Sequence, residues 1–348
     1  MFNEDNTVES MILATLSSKW KYIPADKLPR QFSDVMVESM VFNALIRLNP
    51  EIAQQPDRVD EVIHQLRAII LSVAGDGLVR SNELITEWFR GEHTMPFGKN
   101  GEHTTIKLFD FETMKNNEFV ITKQWVFPRQ DGGKRFDIVL IVNGFPLVIG
   151  EAKTPVRPAV TWVDGANDIN SVYENTVPQM FVPNVLSFAT EGKCFRYGSI
   201  KMPIDLWGPW HSPQNKAEGT LADVQRSVQK MLTPEIVLDI LRNFTIFATD
   251  KKYRRIKIIC RYQQYEAANL IVERVVNGSP KKGLIWHFQG SGKSLLMVFA
   301  AQKLRMRADL KNPTVMIVVD RIDLDTQITA TLMHQMFPTS LVRQHVKH

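Results

Sequence analysis

Apolar residues recur three and four positions apart in residues 8–18 (VESMILATLSS) and 33–48 (SDVMVESMVFNALIRL), a spacing that gathers them on one stripe of a helix, and Pro50 stops the second. From residue 105 the pattern becomes that of strands: TIKLFDF, then NEFVITKQWVF, then the hairpin KRFDIVLIVNGFPLVIGEAKTP at 134–155, with Gly132-Gly133 and Asn143-Gly144 as turns. Residues 211–221 (HSPQNKAEGTL) are polar and unpatterned. TPEIVLDILRN at 233–243 then opens a new helix, with Thr233 as its cap and Pro234 in the first helical position. Beyond it a helix over 262–276, a strand over 283–288, a helix over 294–307 and a strand over 314–319 alternate as in a parallel sheet with crossover helices. The pattern predicts two α/β domains, residues 1–232 and 233–348.

A chain of 348 residues, 44% hydrophobic and 23% charged, can bury two cores of this kind. Its 42 Lys and Arg against 37 Asp and Glu leave +5, a mild preference for a polyanionic partner. Cys194 and Cys260 lie far apart with no CxxC, which argues against a disulfide framework or a zinc site and for a reducing compartment. The N-terminal MFNEDNTVES is acidic, unlike a signal peptide. The longest apolar run, Ile138–Gly150, falls short of the ~20 residues that span a bilayer, so the expectation is a cytoplasmic protein with no membrane partner.

The hairpin is nearly all apolar, yet it carries Asp137, Glu151 and Lys153. Side chains alternate along a strand, so Glu151 and Lys153 share a face. A two-residue loop at Asn143-Gly144 would turn Asp137 away from them, whereas a three-residue loop over 143–145 sets Asp137 opposite Glu151. Two opposed carboxylates repel unless a cation lies between them, and oxygen ligands suit Mg²⁺, whose remaining positions are taken by water and phosphate oxygens. With Lys153 to orient a water or stabilise charge on phosphorus, this is equipment for phosphodiester hydrolysis. The alternative is a structural ion pair between Glu151 and Lys153 with Asp137 solvated. Glu9, on the first helix, is either a third acid for the cation or part of a solvated face. Gln179, in ENTVPQMFVPN, either positions phosphate or water or is a polar cap.

Residues 283–300 (GLIWHFQGSGKSLLMVFA) run from an apolar stretch through Gly290, Ser291, Gly292, Lys293 and Ser294 into a helix. Such a loop wraps phosphates with backbone N–H groups, adds the positive end of a helix, and offers Lys293 to the phosphates and Ser294 to Mg²⁺, which marks an ATP site. His287 stands where the first glycine of the usual pattern would be. Gln264, in CRYQQYEAANLIV, either pairs with an adenine edge or sits on a polar helix face. Asp320, Arg321, Asp323, Asp325 and Gln327 would lie at the carboxyl end of the sheet, where ligands bind. KKYRRIKIICRY at 251–262 either tracks a nucleic-acid backbone or is a solvated basic strand.

The pattern Asp-x13-Glu-x-Lys on an Asn-Gly hairpin resembles the core of PD-(D/E)xK nucleases. Together with VFNALIRLNP, ENTVPQMFVPN, RNFTIF, CRYQQYEAANLIV, WHFQGSGKSL and VVDRIDLDTQ, it makes nearly the whole sequence resemble the N-terminal part of the restriction (R) subunit of type I restriction-modification enzymes. The resemblance implies a restriction-endonuclease-like mixed sheet flanked by helices, followed by an incomplete RecA-like lobe of a superfamily 2 translocase. It further implies Mg²⁺-dependent cleavage of double-stranded DNA through Asp137, Glu151 and Lys153, ATP binding by residues 290–294, and methylation and specificity subunits as partners. Two departures stand out. The family's Gln-x3-Tyr would need a tyrosine where Pro183 follows Gln179, with Tyr173 nearby but upstream. No Asp-Glu pair follows the phosphate loop, so the expectation is a fragment that binds ATP without turning it over.

Overall fold

In the computed structural model, which describes residues 4–128, 133–154, 159–211, 218–250 and 252–318, the chain divides into two compact units, Met1–Arg242 and Asn243–His348. The first contains, in chain order, α1 (Glu4–Leu16), β1 (Lys21–Tyr22), α2 (Glu38–Leu48), α3 (Arg58–Asp76), α4 (Leu78–Phe89), β2 (Phe119–Phe127), β3 (Lys134–Val142), β4 (Phe145–Ala152), α5 (Trp162–Asn167), β5 (Leu186–Thr190), β6 (Phe195–Gly198), α6 (Leu221–Met231) and α7 (Pro234–Asn243). The six strands lie side by side in chain order. β1 runs parallel to β2, β2 through β4 are antiparallel, β5 is parallel to β4, and β6 turns back against β5. α1 and α5 pack on β4. The result is a mixed sheet flanked by helices.

β3 and β4 occupy the middle of this sheet, and Phe136, Ile138–Val142, Phe145 and Leu147–Ile149 are fully buried. Both faces of the hairpin are covered, so its apolar run is continuous rather than alternating. The turn is shorter than the chemistry suggests. Asn143 (φ 48°) and Gly144 (φ 92°) form a two-residue turn, and Val142 pairs with Phe145. Gly144 is pinned there: a Cβ on it would meet the Val37 carbonyl at 2.5 Å, and Val37 N–H donates to the Gly144 carbonyl at 2.8 Å. The ladder then slips by one residue between Leu140 and Ile141, so that Leu140 pairs with Val148 and Ile138 with Gly150. Pro146, which has no N–H to give, sits on the turn side of the slip. The three-residue loop is not formed. A bulge achieves the same offset, and the next position in the ladder sets Asp137 opposite Glu151.

The strand expected over 105–111 is also absent beyond the short pair of Thr104–Thr105 with Thr94–Met95. Ile106, Leu108 and Phe109 are buried as a strand's apolar residues would be. Asn49 takes the place of a neighbouring strand: its amide nitrogen donates to the Lys107 carbonyl and its oxygen accepts from Lys107 N–H, at 2.9 and 2.8 Å. The unit boundary at 242/243 leaves nearly all of α7 with the first unit, later than the expected 232/233. Trp20 Nε1 donates to the Leu232 carbonyl (2.8 Å) and the Arg90 guanidinium to the Leu241 carbonyl (3.0 Å), which ties this segment down.

The second unit contains an antiparallel pair, β7 (Thr245–Thr249) and β8 (Arg255–Ile259), followed by α8 (Tyr262–Asn277) and α9 (Lys293–Arg305), which pack together. Residues 283–288 and 314–318 are not strands here, contrary to the pattern, and residue 319 lies outside the described residues. A strand exists only by its ladder, and these segments have no partner among the described residues: Leu284, Trp286 and Phe288 are exposed. Asp320, Arg321, Asp323, Asp325 and Gln327 lie outside the described residues. Among those described, no helix is long and apolar enough to cross a membrane.

Candidate active site

Asp137 on β3 and Glu151 on β4 are both buried, at 9% and 3% exposure, at the end of the hairpin away from its turn. Asp137 Oδ2 accepts from Ala152 N–H (3.0 Å), and Oδ1 accepts from the Gln124 amide (3.4 Å). Glu151 Oε1 accepts from Lys153 Nζ (2.8 Å) and from the Tyr173 hydroxyl (3.3 Å). Its other oxygen, Oε2, is buried with no hydrogen-bond partner. A buried carboxylate oxygen left bare is costly, and a cation bound to it would relieve that cost. The ion pair of Glu151 with Lys153 is present, while Asp137 is buried rather than solvated.

The electrostatics agree. Burial, and then the neighbouring Asp137, push the Glu151 carboxyl up to about 8. Burial also raises Asp137, against the pull of Ala152 N–H, Lys153, Arg135 and Gln124. Lys153 moves the other way: although burial disfavours its charge, Glu151 and Asp168 hold the ammonium above its ordinary value. Two acids that resist ionising together and a lysine that stays charged describe a place where a divalent ion would substitute for a proton.

Glu9 is buried at the same end of the sheet and reaches the pair through Gln124, whose Nε2 donates to Glu9 Oε1 at 2.9 Å. Among the described residues no three acidic, histidine or cysteine side chains converge at ligand distance, and the link from Glu9 to Asp137 runs through Gln124. Two carboxylates suffice for Mg²⁺, which keeps several waters. Gln179 lies half-buried in a short 3₁₀ turn, Pro178–Phe181, and its amide makes no hydrogen bond to the acids.

Three residues join the site that the sequence reading did not assign to it. Gln124 stands opposite Asp137, between the paired positions Lys123–Ile138 and Trp125–Phe136, with φ at 59°. A non-glycine residue in that region is strained, and here the strain holds an amide between two carboxyls. Asp168 Oδ2 lies 2.6 Å from Lys153 Nζ. Tyr173, upstream of the place where a tyrosine was expected, supplies the hydroxyl on Glu151. Asp168 and Tyr173 bound a π-helical segment that continues α5, with Glu174 N–H bonded to the Ile169 carbonyl five residues back. In a π turn of about 4.4 residues, positions five apart return to one face. The helix begins with a capping box in which Thr161 N–H donates to Asp164 and Val163 N–H donates to Thr161 Oγ1. That Thr-x-x-Asp signal was readable; the π turn was not. α5 lies close to the strands because Gly165 carries no side chain: a Cβ there would come within 3.3 Å of both Glu151 Cγ and Ala189 Cβ.

In the second unit, Gly290 and Gly292 both have φ of 83°, and Lys293 opens α9. Lys293 Nζ donates to the carbonyls of His287 (3.1 Å) and Phe288 (3.0 Å), folding the ammonium over the loop. Ser291 Oγ is buried and unpartnered, and Ser294 lies in the first helical turn. The free N–H groups of a 13-residue helix and this bare hydroxyl fit a phosphate group. Gln264 is placed differently from either expectation. It is buried, its oxygen accepts from Arg261 N–H (2.8 Å), and its nitrogen donates to the Gly292 carbonyl (3.0 Å). Both ends of the amide brace the loop, and an adenine edge would have to displace one of these bonds.

The basic run splits. Lys257 is buried, while Lys252, Tyr253 and Arg254 form an exposed hairpin tip tied by Asp250, whose Oδ1 accepts from the Lys252 and Arg254 N–H groups. Lys251 lies outside the described residues.

Comparison with known proteins adds the last observations. Residues 1–203 match the family model for the type I restriction enzyme R protein N terminus, and residues 263–347 match that for the SWI2/SNF2 ATPase. The type I restriction enzyme HindI endonuclease subunit of Haemophilus influenzae is 33% identical over 95% of this chain and 33% of its own length. The putative type I restriction enzyme MjaVIIIP endonuclease subunit of Methanocaldococcus jannaschii is 32% identical over 67% of this chain and 23% of its own length. A second protein of that archaeon, the putative MjaIXP endonuclease subunit, is 24% identical over 94% of this chain and 34% of its length. The chain thus spans about a third of the length of the curated relatives it matches most fully.

Proposed function

Because the chain belongs to the family of the type I restriction enzyme R protein N terminus, we propose that residues 1–232 are a PD-(D/E)xK endonuclease domain that cuts double-stranded DNA with Mg²⁺. Residues 233–348, in the same reading, belong to the first RecA-like lobe of a superfamily 2 translocase that binds ATP. Methylation and specificity subunits, which recognise the target sequence, are the partners this reading requires, and the cytoplasm is where the complex would act.

The observation that carries the nuclease reading is the buried, unpartnered oxygen of Glu151 on the carboxylate whose other oxygen holds Lys153. Asp137 and Glu151 would hold Mg²⁺. When bound, the ion supplies a water of lowered pKa and positive charge for the scissile phosphate. Lys153, kept charged by Glu151 and Asp168, would act as a hydrogen-bond donor. Its N–H groups serve the oxygens of phosphorus as they gain negative charge. Gln124 fixes Asp137, and Tyr173 fixes Glu151.

For the second unit the supporting observation is the glycine loop at the start of α9 with Lys293 folded over it. Lys293 would exchange two carbonyls for phosphate oxygens, and Ser294 would meet the nucleotide's magnesium.

The test is Asp137→Ala. Nicking of supercoiled DNA in Mg²⁺, by the chain alone and with methylation and specificity subunits added, should fall at least about 100-fold, because several kcal/mol of charge stabilisation depend on the ion. Undiminished Mg²⁺-dependent nicking by the variant would remove the assignment.

A further inference from the structure

We propose that Asp168 is the positioning residue for Lys153, held in place by the π turn that follows α5; this rests on the nuclease reading of the same site. Lys153 lies just past the end of β4. Its backbone N–H donates to the Thr190 carbonyl at 2.7 Å, but its four-carbon side chain has no ladder to direct it. Two carboxylates fix the ammonium instead: Glu151 at 2.8 Å and Asp168 at 2.6 Å. They differ in what else they do. Glu151 is almost wholly buried and its second oxygen has no hydrogen-bond partner, whereas the Asp168 side chain is 38% exposed. A divalent ion held by Asp137 and Glu151 would draw on the charge of Glu151 and weaken its hold on Lys153. Asp168 is the anchor that remains.

The helix geometry supports a dedicated role. Asp168 and Tyr173 are the first and last residues of the π segment, and they reach two members of one site, Lys153 and Glu151. In an α-helix, positions five apart are about 140° off one another, and the pair could not converge. Here the insertion that makes a π turn brings them together, a feature often found at functional sites.

Asp168→Asn keeps the shape and removes the charge. Three measurements on the full chain test the idea. Quantitative mass spectrometry of reductive methylation, at one pH, reads the accessibility of Lys153. It should rise several-fold in Asp168→Asn while other lysines keep their wild-type rates. Calorimetric titration with Mn²⁺ should give an affinity within about twofold of wild type, since Asp168 is not a ligand. Nicking at saturating Mg²⁺ should fall about tenfold or more, a loss that extra Mg²⁺ does not repair. An unchanged Lys153 methylation rate in Asp168→Asn overturns the proposal, as does Mn²⁺ affinity lost in parallel with nicking, which would make Asp168 a ligand. The nuclease reading fails separately, on wild-type or Asp137→Ala nicking, and Lys153 labelling does not depend on it.

Discussion

Asn143 is fully buried, in a left-handed backbone conformation, and uses every polar atom of its side chain. Its amide nitrogen donates to the Leu108 carbonyl (2.8 Å) and to Asn117 Oδ1 (2.9 Å), while its oxygen accepts from Glu118 N–H (2.8 Å) and Arg47 (3.1 Å). As a turn residue it was plain from the Asn-Gly pair; as a hub bonded to four residues it was not, because hydrogen bonds to residues 35 and 96 positions away leave no local trace. The same holds at the candidate site. Asp137, Glu151 and Lys153 announce themselves as charges in an apolar hairpin, but Gln124 and Asp168 sit in stretches where a polar residue is ordinary. Asn143→Gly separates the two roles: it suits the turn and removes the bonds. We expect it to cost about 2–4 kcal/mol in urea unfolding, from several net hydrogen bonds at roughly 1 kcal/mol each and the buried groups they leave bare. A loss below about 1 kcal/mol would show the turn geometry to be the residue's main contribution.

At the level of elements, the opposition of Asp137 and Glu151 was reachable from the sequence, and the route to it was not. Side-chain alternation demands an offset of one residue, and a longer loop is the simplest way to get it; the protein instead uses the tightest turn and a bulge between Leu140 and Ile141, on the turn side of Asp137. The tight turn is chosen by tertiary contact, since Gly144 is pressed against the Val37 backbone. Helical spacing located α1, α2, α7, α8 and α9, and apolar runs bounded by turn residues located β2 through β4. It failed where a side chain stands in for a strand, as Asn49 does at Lys107, and where a strand would need neighbours that the described residues do not include, at 283–288. The register has a second lock at Gly150. A Cβ on Gly150 would fall 2.1 Å from the Phe188 ring, which lies across it from β5. Gly150→Ala should therefore destabilise the protein by about 1–3 kcal/mol through overpacking. Because the displaced ring borders the residue next to Glu151, Mg²⁺-dependent nicking should fall as well. Full stability in the variant would mean that β4 and β5 can separate without cost.

For the molecule as a whole, the two candidate sites lie in separate compact units, each with its own buried apolar residues. Loop 290–294 is built from α8, α9 and the turn between them, and the acids from β2 through β4 and the helix after α5. No residue named in one site is named in the other. ATP binding and divalent-ion binding by the acids should then be separable by single substitutions. Lys293→Ala removes the ammonium that folds over the loop while leaving the N–H groups of α9. At ATP about 100 times its dissociation constant, a ligand bound only to the folded unit adds about 2.7 kcal/mol of stability, which appears as a rise in melting temperature. That rise should disappear in Lys293→Ala and persist in Asp137→Ala. Mn²⁺ titration should show the reverse: heat of binding retained in Lys293→Ala and lost in Asp137→Ala. If Lys293→Ala also abolished ion binding by the acids, the two units would have to be treated as one site.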